Sequence, residues 1–216
     1  MIMNLAPFKS KRHLVLYSQR FVRERIKVFR KDLSICLKAD PNGRHAYMPG
    51  LMTCVSLLEL LSGLYAGKLK KIGLDGIINY TKKFMDSNAY SSDRLAVLYE
   101  AFRNKIAHIT QPYGVFDTHS VRENHILKNM PERRITWKVN AANRYPPIDI
   151  ISENGKLTKS PPWPVSYSHR CIVSIHRLKV DIPKSALKSG GYLEHVSNDP
   201  DAQINFLKCM RDYFPQ

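Results

Sequence analysis

The sequence predicts a mostly α protein: an antiparallel helical bundle over residues 1–116, then a smaller α+β extension over 117–216. Three observations carry this. Up to about residue 110 the apolar residues recur every three to four positions, the period of helices with one face in a core. Beyond it, short extended runs and the turn signal Asn154-Gly155 replace that period. Breakers such as Asp40-Pro41-Asn42-Gly43 and Pro112 stand where elements should stop. Apolar residues make up 44% of the 216, enough for a sizeable core and against global disorder.

The first helix is predicted from about Lys11 to Leu37, built on Leu14, Tyr17, Phe21, Val28, Phe29, Leu33 and Cys36. Its other face carries Arg20, Arg23, Arg25, Lys27, Arg30 and Lys31, a solvated face in the bland reading and an RNA contact in the sharper one. A second helix follows Pro49 with Leu51, Val55, Leu57, Leu58, Leu60, Leu61, Leu64 and Tyr65. It is apolar nearly all round, which predicts a buried central helix. Gly73 to Ser87 predicts an amphipathic third. Ser91 or Ser92 is the expected N-cap of a fourth, with Asp93 at its positive end and Leu95, Leu98, Phe102 and Ile106 facing inward. That helix should end before Pro112.

In the extension, Arg134–Val139, Ile148–Thr158 and Cys171–Ile182 read as extended runs, the second folded into a hairpin at Asn154-Gly155. Ser160-Pro161-Pro162-Trp163-Pro164 reads as a rigid connector. A last helix starts at Asn198-Asp199-Pro200 and runs to about Tyr213, with proline at an early helical position. No internal repeat is apparent.

Lys plus Arg number 34 against 18 Asp plus Glu, a net charge of +16. Such a surface draws in polyanions without saying which. The four cysteines, Cys36, Cys54, Cys171 and Cys209, form no CxxC pair and suit small buried hydrophobes in a reducing compartment. The eight histidines are scattered without zinc-site spacing. The N-terminus has no run long enough for a signal peptide or anchor. The expectation is a cytoplasmic protein with no membrane partner, metal or cofactor.

One stretch points at chemistry: Tyr99-Glu100-Ala101-Phe102-Arg103-Asn104-Lys105-Ile106-Ala107-His108. On a helix Asn104 and His108 are four residues apart and share a face, with Glu100 one turn back. His108 lies toward the helix C-terminus, where an imidazolium is favoured, and a histidine titrating near neutrality suits general acid or base work. Arg103 keeps its charge and can hold a phosphate through two N–H groups. These are the parts for metal-independent RNA cleavage: a base for the 2′-hydroxyl and a cation for the phosphorane. No carboxylate cluster for a two-metal mechanism stands beside them.

This segment resembles the HEPN superfamily, helical-bundle proteins with an R-x4–6-H signature in which a polar residue, often Asn, follows the Arg. The motif stands here as Arg103-Asn104-Lys105-Ile106-Ala107-His108. The resemblance is sharpest over Ser91–Val115, extends in helix order back to about Lys11, and does not cover the tail from about Asp117. It implies a homodimer in which two such helices meet and paired Arg and His residues form one composite endoribonuclease site. Its products carry 2′,3′-cyclic phosphate ends, and the setting is a toxin or antiviral effector with an antitoxin or regulatory protein as a further partner. HEPN toxins with nucleotidyltransferase antitoxins often carry Tyr two residues after the His; Thr110 stands there in this chain. Arg170 and His176 also satisfy R-x5-H, but on a predicted strand with no supporting pattern.

Blander readings stand beside these. Arg103 can pair with Glu100, His108 can cap the helix, and Asn104 can be an ordinary polar residue. Glu59, an acid on the apolar second helix, needs a partner or solvent; Arg103 is a candidate, with helix orientation or support of catalysis as the role. Tyr99 reads as packing or as a supporting residue. Tyr113 and Trp163 could stack on bases or be buried. The function expected first is the metal-independent endoribonuclease. The alternatives are a HEPN-fold module that binds nucleic acid or protein without chemistry, and a basic scaffold that docks an acidic protein.

Overall fold

The computed structural model describes residues 8–104, 114–119, 125–140, 142–158 and 163–214. The chain is mostly helical, about 58%, with a small four-stranded sheet. In order it forms α1 (Lys11–Cys36), α2 (Tyr47–Ala66), α3 (Gly73–Phe84), α4 (Ser92–Leu98) and a π-helical segment (Tyr99–Asn104). Then come β1 (Phe116–Asp117), α5 (His125–Lys128), β2 (Arg134–Asn140), β3 (Ile148–Leu157), β4 (Val165–Ser174), α6 (Ile175–Leu187), α7 (Tyr192–Asn198) and α8 (Pro200–Tyr213). Two compact units divide the chain, and they interleave in sequence. The first gathers Met1–Ile35, Thr53–Asp86 and Lys179–Gln216; the second gathers Cys36–Met52 and Ser87–Leu178. No single boundary near residue 116 separates them, because the closing helices group with α1 and α3 while α4 groups with the sheet.

In the first unit α1 buries the stripe Leu14, Phe21, Val22, Ile26, Phe29 and Leu33 and leaves its cations outside. The apolar α2 is long and apolar enough to cross a membrane by length and composition, yet 56% of its apolar window is buried within the fold, as a core helix would be. Its C-terminal end is closed from α8: the Asn205 side-chain amide donates to the Tyr65 carbonyl at 2.9 Å, and the Cys209 thiol donates to the Gly63 carbonyl at 3.3 Å. The Gly63 carbonyl also accepts from the Lys68 N–H at 3.1 Å, in the turn that follows the helix. Gly67, at φ +74°, ends the helix in the left-handed region, and a side chain there would strike Asn205.

The start of α8 follows the sequence signal. The Asp199 carboxylate accepts from the backbone N–H groups of Asp201 and Ala202, and Pro200 occupies the first turn. Those donors, Ala202 foremost, hold the Asp199 carboxyl below its usual value. Downstream, Phe206 is fully buried and meets Tyr17 and Phe21 of α1 at ring distances of 6.3 and 6.0 Å. A second aromatic group joins Tyr65, Tyr80, Phe84, Tyr192 and His195.

In the second unit the sheet order is β1-β2-β4-β3, with β2 and β4 parallel and the outer pairs antiparallel. By register Ile135, Trp137 and Val139 share a face with Cys171, Val173, Ile148 and Ile150. The α4 helix packs on β3 and α5.

Three local expectations are corrected. Asn154-Gly155 is no hairpin turn: β3 runs through it with a register shift between Ser152 and Gly155. A Cβ at Gly155 would stand 2.6 Å from Cζ of Tyr167, so the glycine serves a close approach at a bulge. Cys171–Ile182 is not one strand. It ends at Ser174, whose buried Oγ accepts from the Arg177 N–H at 3.2 Å and so caps α6. Ile175, Leu178, Ile182 and Ala186 then turn inward at helical spacing. Ser91 precedes α4 as expected, but its hydroxyl bonds the Asp93 carboxylate and not a backbone N–H.

Two outcomes are expected. Phe206→Ala should lower stability by about 3–5 kcal/mol in urea unfolding; a cost below about 1 kcal/mol would make α8 peripheral. Burial also raises the Cys171 and Cys209 thiols from 9.0 to about 12. Above about pH 9 the unfolded chain sheds protons that the folded chain keeps, so their contribution is intact below pH 9 and lost toward pH 12. Iodoacetamide at pH 8.5 should therefore modify half-buried Cys36 well before Cys54, Cys171 or Cys209, read by peptide mass spectrometry with and without denaturant.

Candidate functional site

The motif sits where one helix changes its winding. Buried Leu95, Ala96, Val97 and Leu98 fix α4 on more sides than a single stripe would require. From Tyr99 to Asn104 the hydrogen bonding widens to the π pattern, an irregularity that recurs at functional sites. Ala101 and Phe102 remain buried, and the Phe102 ring meets Trp137 of β2 edge to face with centroids 5.9 Å apart. Such a pair adds about 0.5–1.5 kcal/mol beyond its buried area. The wide turn is thus anchored on the sheet immediately before Arg103.

Arg103 and Asn104 are the last two residues of this π segment. His108, with Thr110, Pro112 and Tyr113, lies outside the described residues. Tyr99 and Glu100 are half-buried at the start of the segment. Glu59 is half-buried on α2 and belongs to the first unit. The structure therefore brings Tyr99, Glu100, Arg103 and Asn104 onto one short segment. Trp163 is 67% exposed.

Three arginines beside the sheet are engaged by carboxylates. The Asp149 carboxylate accepts from Arg144 at 2.8 Å and faces Arg94 at 4.0 Å, while Arg94 also donates to the Asn88 carbonyl. Arg170 is paired with Glu153 at 2.6 Å and donates to the Tyr167 hydroxyl at 3.0 Å. The second R-x5-H match therefore has its arginine in a cross-strand ion pair, and its His176 exposed on the first turn of α6. His169 hydrogen-bonds Ser168 through Nδ1 at 2.9 Å. Desolvation and then the Arg133 charge hold its pKa below the usual imidazole value, which favours the neutral ring. Ser168 in turn bonds the backbone of Arg134, so this pair ties β4 to β2.

Among the described residues no three His, Cys, Asp or Glu side chains gather as a metal site. The exposed side of α1 carries eight cations between Lys11 and Lys31, against Glu24 and Asp32. Sequence reasoning passed over Lys179, Lys184 and Lys188, because a strand predicted through residue 182 conceals their helical spacing. A helical count from Ile175 would have found them. Compared with known proteins, the chain matches no family model, no curated protein and no solved structure.

Replacing Phe102 by Leu should lower the melting temperature modestly and shift Trp137 fluorescence. An unchanged Trp137 signal would mean that the ring does not anchor the π segment.

Proposed function

We propose that the chain acts on RNA as a metal-independent endoribonuclease of the HEPN type. The observation that carries this is the Arg103-Asn104-x3-His108 motif, two of whose residues close a π segment rooted on the sheet by Phe102. The net charge of +16 supports a polyanionic substrate. In the proposed reaction His108 takes the proton of a ribose 2′-hydroxyl. The 2′-oxygen then attacks the adjacent phosphorus, Arg103 stabilises the phosphorane, and Asn104 orients the phosphate. The 5′-oxygen leaves with a proton from the imidazolium of a second copy, giving a 2′,3′-cyclic phosphate and a 5′-hydroxyl. The reading carries with it a cytoplasmic homodimer, a toxin or antiviral role, and an antitoxin or regulatory partner. Glu100 and Tyr99 are supporting residues in it.

A second reading, an RNA-binding module without chemistry, is favoured by the density of cations along α1. The two part on one experiment: a labelled tRNA pool incubated with the protein in EDTA, beside His108→Ala and Arg103→Ala. The endoribonuclease should cut with cyclic-phosphate ends, and each variant should lose about 100-fold or more in rate. Binding without cutting by the parent protein, unchanged in His108→Ala, would leave only the module.

A further inference from the structure

The first unit holds a concave basic feature unrelated to the motif. Arg30 of α1, together with Lys179, Val180, Lys184 and Leu187 of α6 and the adjoining Lys188, lines an open groove of about 730 Å³. Four of these six residues are cations and none is an acid. A second hollow of about 310 Å³ shares Leu187 and Lys188 and adds Gln19 and Arg23 of α1. Its one acid, Glu194, accepts from the Gly190 N–H at 2.9 Å and from Ser189 at 3.3 Å. Together they form a trough along α1 from Arg30 to Arg23, two helical turns or about 10 Å.

The folded core sets the wall opposite α1. Ile182, Ser185 and Ala186 are buried, and the Ser185 hydroxyl is hydrogen-bonded to the Tyr80 hydroxyl at 2.8 Å. That bond fixes the rotation of α6 and leaves Lys184 and Lys188 outward, four residues or about 6 Å apart. Among the described residues Arg23, Arg30, Lys179, Lys184 and Lys188 form no ion pair. Asp181, on the same helix, does not line the trough. In the second unit, by comparison, Arg94, Arg144 and Arg170 each face a carboxylate, while among the described residues Arg133 and Arg134 do not. Like charges gathered in a concavity repel one another, and an anionic ligand relieves that repulsion.

We propose that this trough binds the phosphodiester backbone of a single RNA strand without regard to base sequence. Two cationic walls over an aliphatic floor of Val180 and Leu187 suit a threaded phosphate chain. Among the described residues no aromatic ring lines it to stack bases, so phosphate and sugar are what it reads. A flat bilayer would meet the rim and leave the lining cations unpaired. The choice of RNA as the polyanion rests on the reading of the Arg103–His108 motif; the phosphate-binding trough does not.

The test is fluorescence anisotropy of a fluorescein-labelled, unstructured 20-nucleotide RNA with the full chain. Every protein carries His108→Ala, so that the probe stays intact, and the KCl concentration is varied. Adding Arg30→Ala, Lys184→Ala and Lys188→Ala should raise Kd about tenfold or more. It should also flatten the salt dependence by about 2 in slope, near 0.7 per lost phosphate contact on a single strand. A matched triple, Lys38→Ala, Lys70→Ala and Lys156→Ala, removes the same charge elsewhere and should change Kd less than about threefold. Probes of scrambled base sequence should bind alike. Equal losses from the two triples, no binding by the parent, or a trough triple that affects only flotation with phosphatidylserine vesicles would each overturn the proposal. Cutting by the native chain with trough-independent binding would sink the trough alone. Trough-dependent binding with no cutting would sink the catalytic reading alone.

Discussion

The closure of the C-terminal end of α2 by α8 is the constraint on which the first unit depends. An apolar helix can be buried readily, but its last turn carries acceptors that need donors. Asn205 and Cys209 supply two of them from α8. Gly67 makes the approach feasible, since a Cβ there would run into Asn205; one at Gly63 would stand 2.7 Å from the Lys68 carbonyl oxygen, so that glycine serves the turn after α2. With α8 held there, Phe206 reaches Tyr17 and Phe21 and so fixes α1. The buried Tyr80–Ser185 bond does the same for α6. The two walls of the basic trough are thus set by hydrogen bonds that involve none of its cations.

The second unit handles charge in the opposite way. Its sheet ties guanidinium groups to Asp149 and Glu153, and its apolar face receives Phe102. Arginines consumed in this manner hold strands and loops in register and have little left to offer a phosphate. Arg103 comes directly after the buried Phe102, at the end of a helix whose winding has already loosened. The buried Phe102 gives the widened segment a fixed root immediately before Arg103.

Much of the fold was legible in the sequence. The stripes of α1 and α3, the all-round apolarity of α2 and the Asp199-Pro200 start of α8 each express one local rule, and the structure follows them except at Val28, which is 48% exposed while Val22 and Ile26 fill the α1 core. The failures share a cause: a local signal served a tertiary purpose. Gly155 resembles a turn residue because a turn is the commonest reason for Asn-Gly, yet here the glycine makes room for Tyr167. The run Cys171–Ile182 alternates well enough for a strand, and only the buried Ser174 cap divides it into strand and helix. That misreading also concealed half of the trough, since Lys184 and Lys188 acquire a common side only on a helix. The Arg103–His108 motif was legible as a string of residues, and the two that fall in the π segment lie on one continuous piece of backbone. No pattern in the chain announces which helices share a unit, because that depends on contacts between residues more than a hundred positions apart.

The interleaving of the two units has a consequence for how the chain is born. The first unit needs residues 179 onward, and the donors that tie α2 to α8 are as late as Asn205 and Cys209. While residues 67 to 199 are being added, therefore, a twenty-residue apolar helix has been made and its α8 cover has not. Pairings this distant in sequence are slow to form and leave greasy surface open to self-association in the interval. The second unit, nearly continuous from Ser87 to Leu178, can close first. Ribosome-associated chaperones would meet this protein as an unfinished core waiting for its final helix.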